Sequence, residues 1–248
     1  MAEIIPAILP KSYEELEEKL DIVAGHVPSV QIDVCDGAYV PSRTWPYLKG
    51  SATQDGYPSD QIFADMVSQE KALPHWDEID FEFDIMARGA YEKIPDFISA
   101  GAARLIVHKA SVSDEELASI IKDFGKHSEE LGPFDVELGI ALSMASSSSG
   151  DATATAASIK GIAENIHFVQ VMGISKIGYQ GQPHDPRSIE LVKALKTAYP
   201  ALPVAVDGAV SLDTAPLFID AGADRLVVGS ALFDADDFLG TLKEFQAL

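Results

Sequence analysis

Residues 203–233 read PVAVDGAVSLDTAPLFIDAGADRLVVGSALF. The first apolar run, PVAVD (Pro203–Asp207), ends on a carboxylate and a glycine turn. A helical stretch at about Leu212–Ala221 follows, and a second apolar run, RLVVG (Arg225–Gly229), again ends on glycine. Strand, helix and next strand within so short a span make one βα unit. The same pattern recurs upstream. Apolar runs at Ile4–Leu9, Val30–Val34, Ile79–Met86, Arg104–His108, Val136–Leu142 and Phe168–Met172 read as strands. Helical patterns read at Ser12–His26, Ser59–Lys71, Asp114–Leu131, Asp185–Tyr199 and Asp236–Phe245, and Asp151 caps an Ala-rich helix. Ser12 followed by Glu15 is a capping signal.

Eight strands in 248 residues give one unit for about every 31 residues, the length of a βα repeat. The strands are apolar nearly throughout, as parallel strands covered by helices are. The expectation is an α/β chain, a (β/α)8 TIM barrel formed by residues 1–248 as one domain, with an insertion at about 43–60 after the second strand. A doubly wound open sheet needs a glycine turn after the first strand; AILPKSY (Ala7–Tyr13) has no glycine there.

Composition narrows the partners. With 47% hydrophobic and 23% charged residues the chain is that of a globular protein, and no stretch is apolar enough to be read as a membrane helix. A net charge of −21 repels nucleic-acid phosphates and anionic membranes, so neither is expected as a partner. A small anion remains admissible, because a nest of backbone N–H groups holds phosphate even in an acidic protein. MAEIIPAILPKSYEELEEKL lacks the basic start of a secretory signal, and the single cysteine, Cys35, leaves no internal disulfide; a cytoplasmic setting is expected.

In a barrel the reactive groups belong at the C-terminal ends of the strands. Those ends offer Gln31, Asp33 and Asp36 on the second strand, Glu82 and Asp84 on the third, and His108 on the fourth. Ser143, Met172, Asp207, Gly229 and Ser230 end the fifth, sixth, seventh and eighth. A carboxylate flanked by Ile and Val is costly to bury without partners, so Asp33, Asp84 and Asp207 mark a shared site. Two aspartates facing one carbon can remove a proton on one side and return one on the other. Together with the Gln31 amide, Asp33, Asp84 and Asp207 also form an all-oxygen set suited to Mg²⁺ or Mn²⁺ rather than Zn²⁺, so a divalent metal is a candidate cofactor. The glycine turns after the last three strands, with Gly178, Gly181, Gly208, Gly229 and Ser230, are candidate phosphate-binding elements.

The segments IIPAILP, VQIDVCDGAYVP, FEFDIMA, FVQVMG…GYQGQP, VAVDGAV and GADRLVVGSALF together resemble the ribulose-phosphate 3-epimerase family in order and spacing. The resemblance implies epimerisation at C3 of a ketose phosphate of the ribulose/xylulose 5-phosphate kind, through an enediolate. Asp33 and Asp207 match the family's acid/base pair, and Met172 and Asp36 are carried over as further substrate contacts. Gln31 and Asp84 stand where the family has metal-binding histidines. Ala7 replaces a serine, Ala209 replaces the second glycine of the family's V-D-G-G turn, and S-K-I-G-Y-Q-G-Q (Ser175–Gln182) replaces the family's N-P-G-F-G-G-Q loop. A homo-oligomer, dimer or hexamer, is implied as well. Two other readings stand beside this one: a barrel that binds a phosphosugar without chemistry, and a sugar-phosphate lyase. Related decarboxylases carry D-x-K-x-x-D where this chain has Asp33-Val34-Cys35-Asp36, without the lysine. His108 and His184 match none of the family's ligand positions. Lys176 either pairs with a phosphate or is an ordinary exposed loop lysine.

Overall fold

The computed structural model describes residues 2–47, 58, 60–128, 136–147, 149–179 and 181–248. Strands and helices alternate: β1 (Glu3–Ile8), α1 (Tyr13–Val23), β2 (Ser29–Cys35), α2 (Gln61–Val67), β3 (Asp80–Met86), α3 (Ala90–Ser99), β4 (Ala102–His108) and α4 (Asp114–Phe124). There follow β5 (Glu137–Ser143), α5 (Ala152–Ala157), β6 (Phe168–Met172), α6 (Arg187–Ala198), β7 (Val204–Asp207), α7 (Ala215–Ala221), β8 (Arg225–Val228), α8 (Ser230–Phe233) and α9 (Phe238–Gln246). The strand order is β1 to β8 in sequence, closed into a barrel, which is the (β/α)8 class expected.

Local chemistry sets the helix starts. The side chains of Ser12, Asp60, Ser113, Asp151 and Asp237 each accept a backbone N–H of the first turn, satisfying donors that a helix leaves over at its N-terminus. Glu15 answers the Ser12 cap by accepting the Lys11 N–H at 2.8 Å. The helix read over Asp114–Leu131 stops at Phe124, because Gly125 leaves helical geometry there; residues 129–131 lie outside the described residues. Among the described residues, no helix is long and apolar enough to cross a membrane.

The chain divides into two compact units, Ile8–Leu138 and Met1–Ala7 with Gly139–Leu248. In the first, β2, β3 and β4 are parallel, with Gln31 opposite Glu82 and Asp33 opposite Asp84. Trp45, Phe63, Phe97 and Phe83 stack in a chain with centroids 5.6, 5.1 and 5.1 Å apart. Each buried ring contributes on the order of 2 kcal/mol, and together they back the β2–β3 pair. Thr44, Trp45 and Tyr47, at the start of the stretch read as an insertion, are buried; residues 48–57 and 59 of it lie outside the described residues. In the second unit β8 pairs with β1, and β5, β6, β7 and β8 pair in order.

Candidate active site

In the unit Ile8–Leu138 the polar residues of β2 and β3 are held by named partners. The register places Asp33 beside Asp84. Gln31 Nε2 donates to Asp33 Oδ1 at 2.8 Å. Thr44 Oγ1 donates to the Asp33 carbonyl at 2.8 Å and accepts the Cys35 N–H at 2.8 Å, latching the end of the strand. Asp33 is 8% exposed and Asp84 fully buried. His108, the last residue of β4, puts Nε2 2.8 Å from Asp84 Oδ1. The Tyr39 ring lies against His108, centroids 5.6 Å apart. Burial, reinforced by the Asp84 carboxylate, pushes the Tyr39 phenol up to about 12.

Asp36 does different work from its neighbour three residues back. Its Oδ1 accepts the N–H groups of Ala38 and Tyr39 at 2.7 and 2.9 Å, and its Oδ2 accepts that of Arg88 at 2.9 Å. The carboxylate thus ties the loop after β2 to the loop after β3. Glu82, read from sequence with the strand ends, sits instead in the early half of β3. There Arg104 joins it at 3.2 Å and also reaches Ser29 and Glu137. Two residues along a strand is about 6.6 Å, enough to separate Glu82 from Asp84 although both project from one face. Burial drives the Cys35 thiol well above its usual range, and Asp33, Asp84 and Asp36 add to the effect; no thiolate is available there for nucleophilic chemistry.

In the unit containing β5–β8, Asp207 ends β7 with 8% exposure. Met172 is its register partner on β6, and Gln170 Nε2 donates to Asp207 Oδ2 at 3.4 Å. Gly208 follows with φ +96° and Ala209 with φ +54°. Asp207 pairs with Val227 on β8, two residues before Gly229, so the two glycine turns leave neighbouring strand ends. Gly229 is the N-cap of the four-residue α8 and Ser230 its first residue. The excursion after β6 is closed by an antiparallel bridge between Ile174 and His184. Gly178 and Gly181 turn within it at φ +84° and +68°. Asp185 fastens its base, taking Ser175 Oγ at 2.9 Å and two bonds from the Arg187 guanidinium. His184 packs edge-on against Phe218 with centroids 5.3 Å apart, a packing role. Lys176 is exposed.

Sequence reasoning named Gln31, Asp33, Asp84 and Asp207 but gave no role to Gln170, Tyr39 or the Asp84–His108 bond. Gln170 carried a signal, a carboxamide in the middle of the apolar FVQVM. As ion donors, Gln31, Asp33, Asp84 and Asp207 offer an amide and carboxylate oxygens. In this structure Gln31 bonds one carboxylate oxygen of Asp33 and His108 one of Asp84. These donor atoms are oxygens, the ligand type that hard divalent cations take.

Residues 60–233 match the sequence profile of the ribulose-phosphate 3 epimerase family. A ribulose-phosphate 3-epimerase of Chlamydia pneumoniae is 29% identical over 84% of this chain and 76% of its own length. One of Bacillus subtilis is 25% identical over 99% of both chains. Among solved structures, the 3-hexulose-6-phosphate synthase of Salmonella typhimurium superposes with a TM-score of 0.64 at 17% identity, covering 99% of this chain and 97% of its own. At that identity the likeness concerns the fold alone.

Proposed function

The chain belongs to the ribulose-phosphate 3-epimerase family, whose members are enzymes of the isomerase class, and we propose that it inverts C3 of a ketose phosphate of the ribulose/xylulose 5-phosphate kind. Asp33 and Asp207 are the acid/base pair. One carboxylate takes the C3 proton, the electrons left behind move onto the C2 oxygen to give an enediolate, and the other carboxylic acid returns a proton to the opposite face; the reverse reaction exchanges the roles. The observation that carries this reading is the setting of the two aspartates. Asp33 lies two residues before the end of the apolar strand β2, and Asp207 ends β7. Each is buried yet slightly open at 8% exposure, and each accepts a carboxamide N–H, Asp33 from its own strand and Asp207 from β6. A carboxylate held in that way keeps its direction while it exchanges a proton.

The turns with Gly178, Gly181, Gly208, Gly229 and Ser230 take the phosphate, and Met172 and Asp36 border the sugar. Gln31, Asp33, Asp84 and Asp207 would hold a divalent cation, Mg²⁺ or Mn²⁺, the three aspartates giving one carboxylate oxygen each. When bound, the cation supplies positive charge to an oxygen that turns negative as the proton leaves. A cytoplasmic homo-oligomer, dimer or hexamer, completes the proposal on the family resemblance.

Deuterium incorporation tests it. In heavy water, ribulose 5-phosphate incubated with the protein gains deuterium at C3, seen by NMR, and xylulose 5-phosphate accumulates. D33N and D207N each lower the rate by about 10² to 10⁴ while phosphate-ester binding persists. Absence of exchange with every pentulose and hexulose phosphate tried overturns the proposal.

A further inference from the structure

Gln31 holds Asp33 at its carboxylate, and a residue outside the proton transfer holds its backbone. The chain reverses after β2: Gly37 turns at φ +77°, and an antiparallel bridge joins Asp36 to Arg43. Thr44 is thereby laid beside the end of the strand and buried. Its N–H donates to the Cys35 carbonyl at 3.1 Å. Its Oγ1 donates to the Asp33 carbonyl and accepts the Cys35 N–H, both at 2.8 Å. The Asp33 carbonyl and the Cys35 N–H, on either side of Val34, need one donor and one acceptor. In a parallel ladder a single residue of the next strand supplies both with its N–H and C=O. A hydroxyl carries both functions on one atom, so Thr44 Oγ1 completes the ladder in place of a strand residue. Trp45 fixes Thr44 in turn: its N–H donates to the Pro10 carbonyl at 2.9 Å and its Nε1 to Asp60 Oδ1 at 2.9 Å.

We propose that Thr44 is a positioning residue for the epimerisation, its hydroxyl setting the backbone at Asp33 and with it the direction in which the Asp33 carboxylate meets the substrate carbon. The reaction rests on the epimerase reading; the geometry rests on the two hydrogen bonds. A general acid or base works only within hydrogen-bond reach of its proton, and a misplacement of about 1 Å costs on the order of 10²-fold in rate. Without the hydroxyl, a buried carbonyl and a buried N–H lose their partner, and the strand end shifts to find others.

Valine has the shape of threonine without the hydroxyl, and serine keeps the hydroxyl without the methyl. With ribulose 5-phosphate, T44V is expected to lose about 10- to 100-fold in kcat with KM within about threefold of wild type. T44S is expected to stay within about threefold of wild type in both. Loss of folded protein alone lowers the yield and the urea midpoint, not the rate per folded molecule, which is what the assay compares. If T44V does not fold, T44A takes its place under the same criterion. A kcat less than about fivefold below that of T44S, or a loss carried by KM, overturns the proposal. A second readout does not need turnover: in protein labelled with ¹³C-aspartate, the Asp33 carboxyl resonance, identified by its absence in D33N, moves in T44V and stays in T44S. If the wild-type protein turns over no ketose phosphate, the epimerase reading falls and this resonance decides whether Thr44 sets Asp33. A resonance that T44V leaves in place, or that T44S moves as far, overturns it.

Discussion

Gly173 and Gly208 touch through a gap that only glycine at 173 leaves open. A Cβ at Gly173 would stand 2.1 Å from the Gly208 carbonyl oxygen, while the Gly173 N–H donates to the Asp207 carbonyl at 2.7 Å. The end of β6 thereby presses directly on the turn that carries Asp207. Because the obstacle is backbone, the overlap cannot be relieved by rotating a side chain.

G173A is therefore expected to cost about 1–3 kcal/mol and to displace Asp207. Gly161, where an added Cβ meets nothing within 4 Å, supplies the control: G161A stays within about 0.5 kcal/mol of wild type. Urea unfolding of the two variants measures the difference, and equal stabilities would show that the contact is slack. An epimerase assay on the same samples shows whether activity falls further in G173A than in G161A.

Ala209 carries the opposite mismatch, an L-residue at φ +54° in the left-handed region. The Ala209 carbonyl accepts Thr214 Oγ1 at 2.7 Å, which ties the turn to the segment before α7. A left-handed conformation costs an L-residue about 1–2 kcal/mol, part of which glycine gives back through its freedom in the unfolded chain. A209G is expected to gain about 0.5–1 kcal/mol, read as a higher urea midpoint at unchanged slope. A variant less stable than wild type would mean that the alanine methyl packs against something worth more than the strain.

The strands could be read from sequence because parallel strands buried on both faces become continuous apolar runs, and those runs needed no tertiary knowledge. The helix Ala90–Ser99 was harder to see: it starts after Gly89 in the left-handed region and carries Pro95 inside, both of which read as breaks. The four-residue helix Ser230–Phe233 is too short to show a period. At the site, Asp33, Asp84 and Asp207 stood out as carboxylates inside apolar runs. Their partners did not, because His108 reaches Asp84 from the neighbouring strand, and a register between strands is not written in either one. Asp36 shows the converse. It shares the motif with Asp33, yet three backbone N–H groups hold it in the loops.

Cys35 offers a test of how tightly that region closes. Buried beside Asp33 and Asp84, with its Sγ 3.9 Å from Met86 Sδ, the thiol resists both ionisation and access. Native protein at pH 8 is expected to leave Cys35 unmodified by an aromatic disulfide reagent over an hour, and guanidinium is expected to release one thiol per chain. Rapid labelling of the native state would show that the end of β2 opens readily.

Asp185 makes the stability of the loop after β6 depend on pH. The Arg187 guanidinium bonds hold its carboxyl at about 2, with help from Ser175 and against the opposing effect of burial. The folded value lies below the unfolded one of about 3.9, so the native state favours the ionised form. That contribution is complete above about pH 4, shrinks as the unfolded chain begins to take up the proton, and is gone once pH has fallen through about 2. Arg187 is half exposed, so solvent screening keeps the pair's contribution small. R187A is expected to have a lower urea midpoint than wild type at pH 6, with the gap between the midpoints narrowing toward pH 3. A gap that stays constant over the whole range would assign the loss to the packing of the arginine stem rather than to its charge.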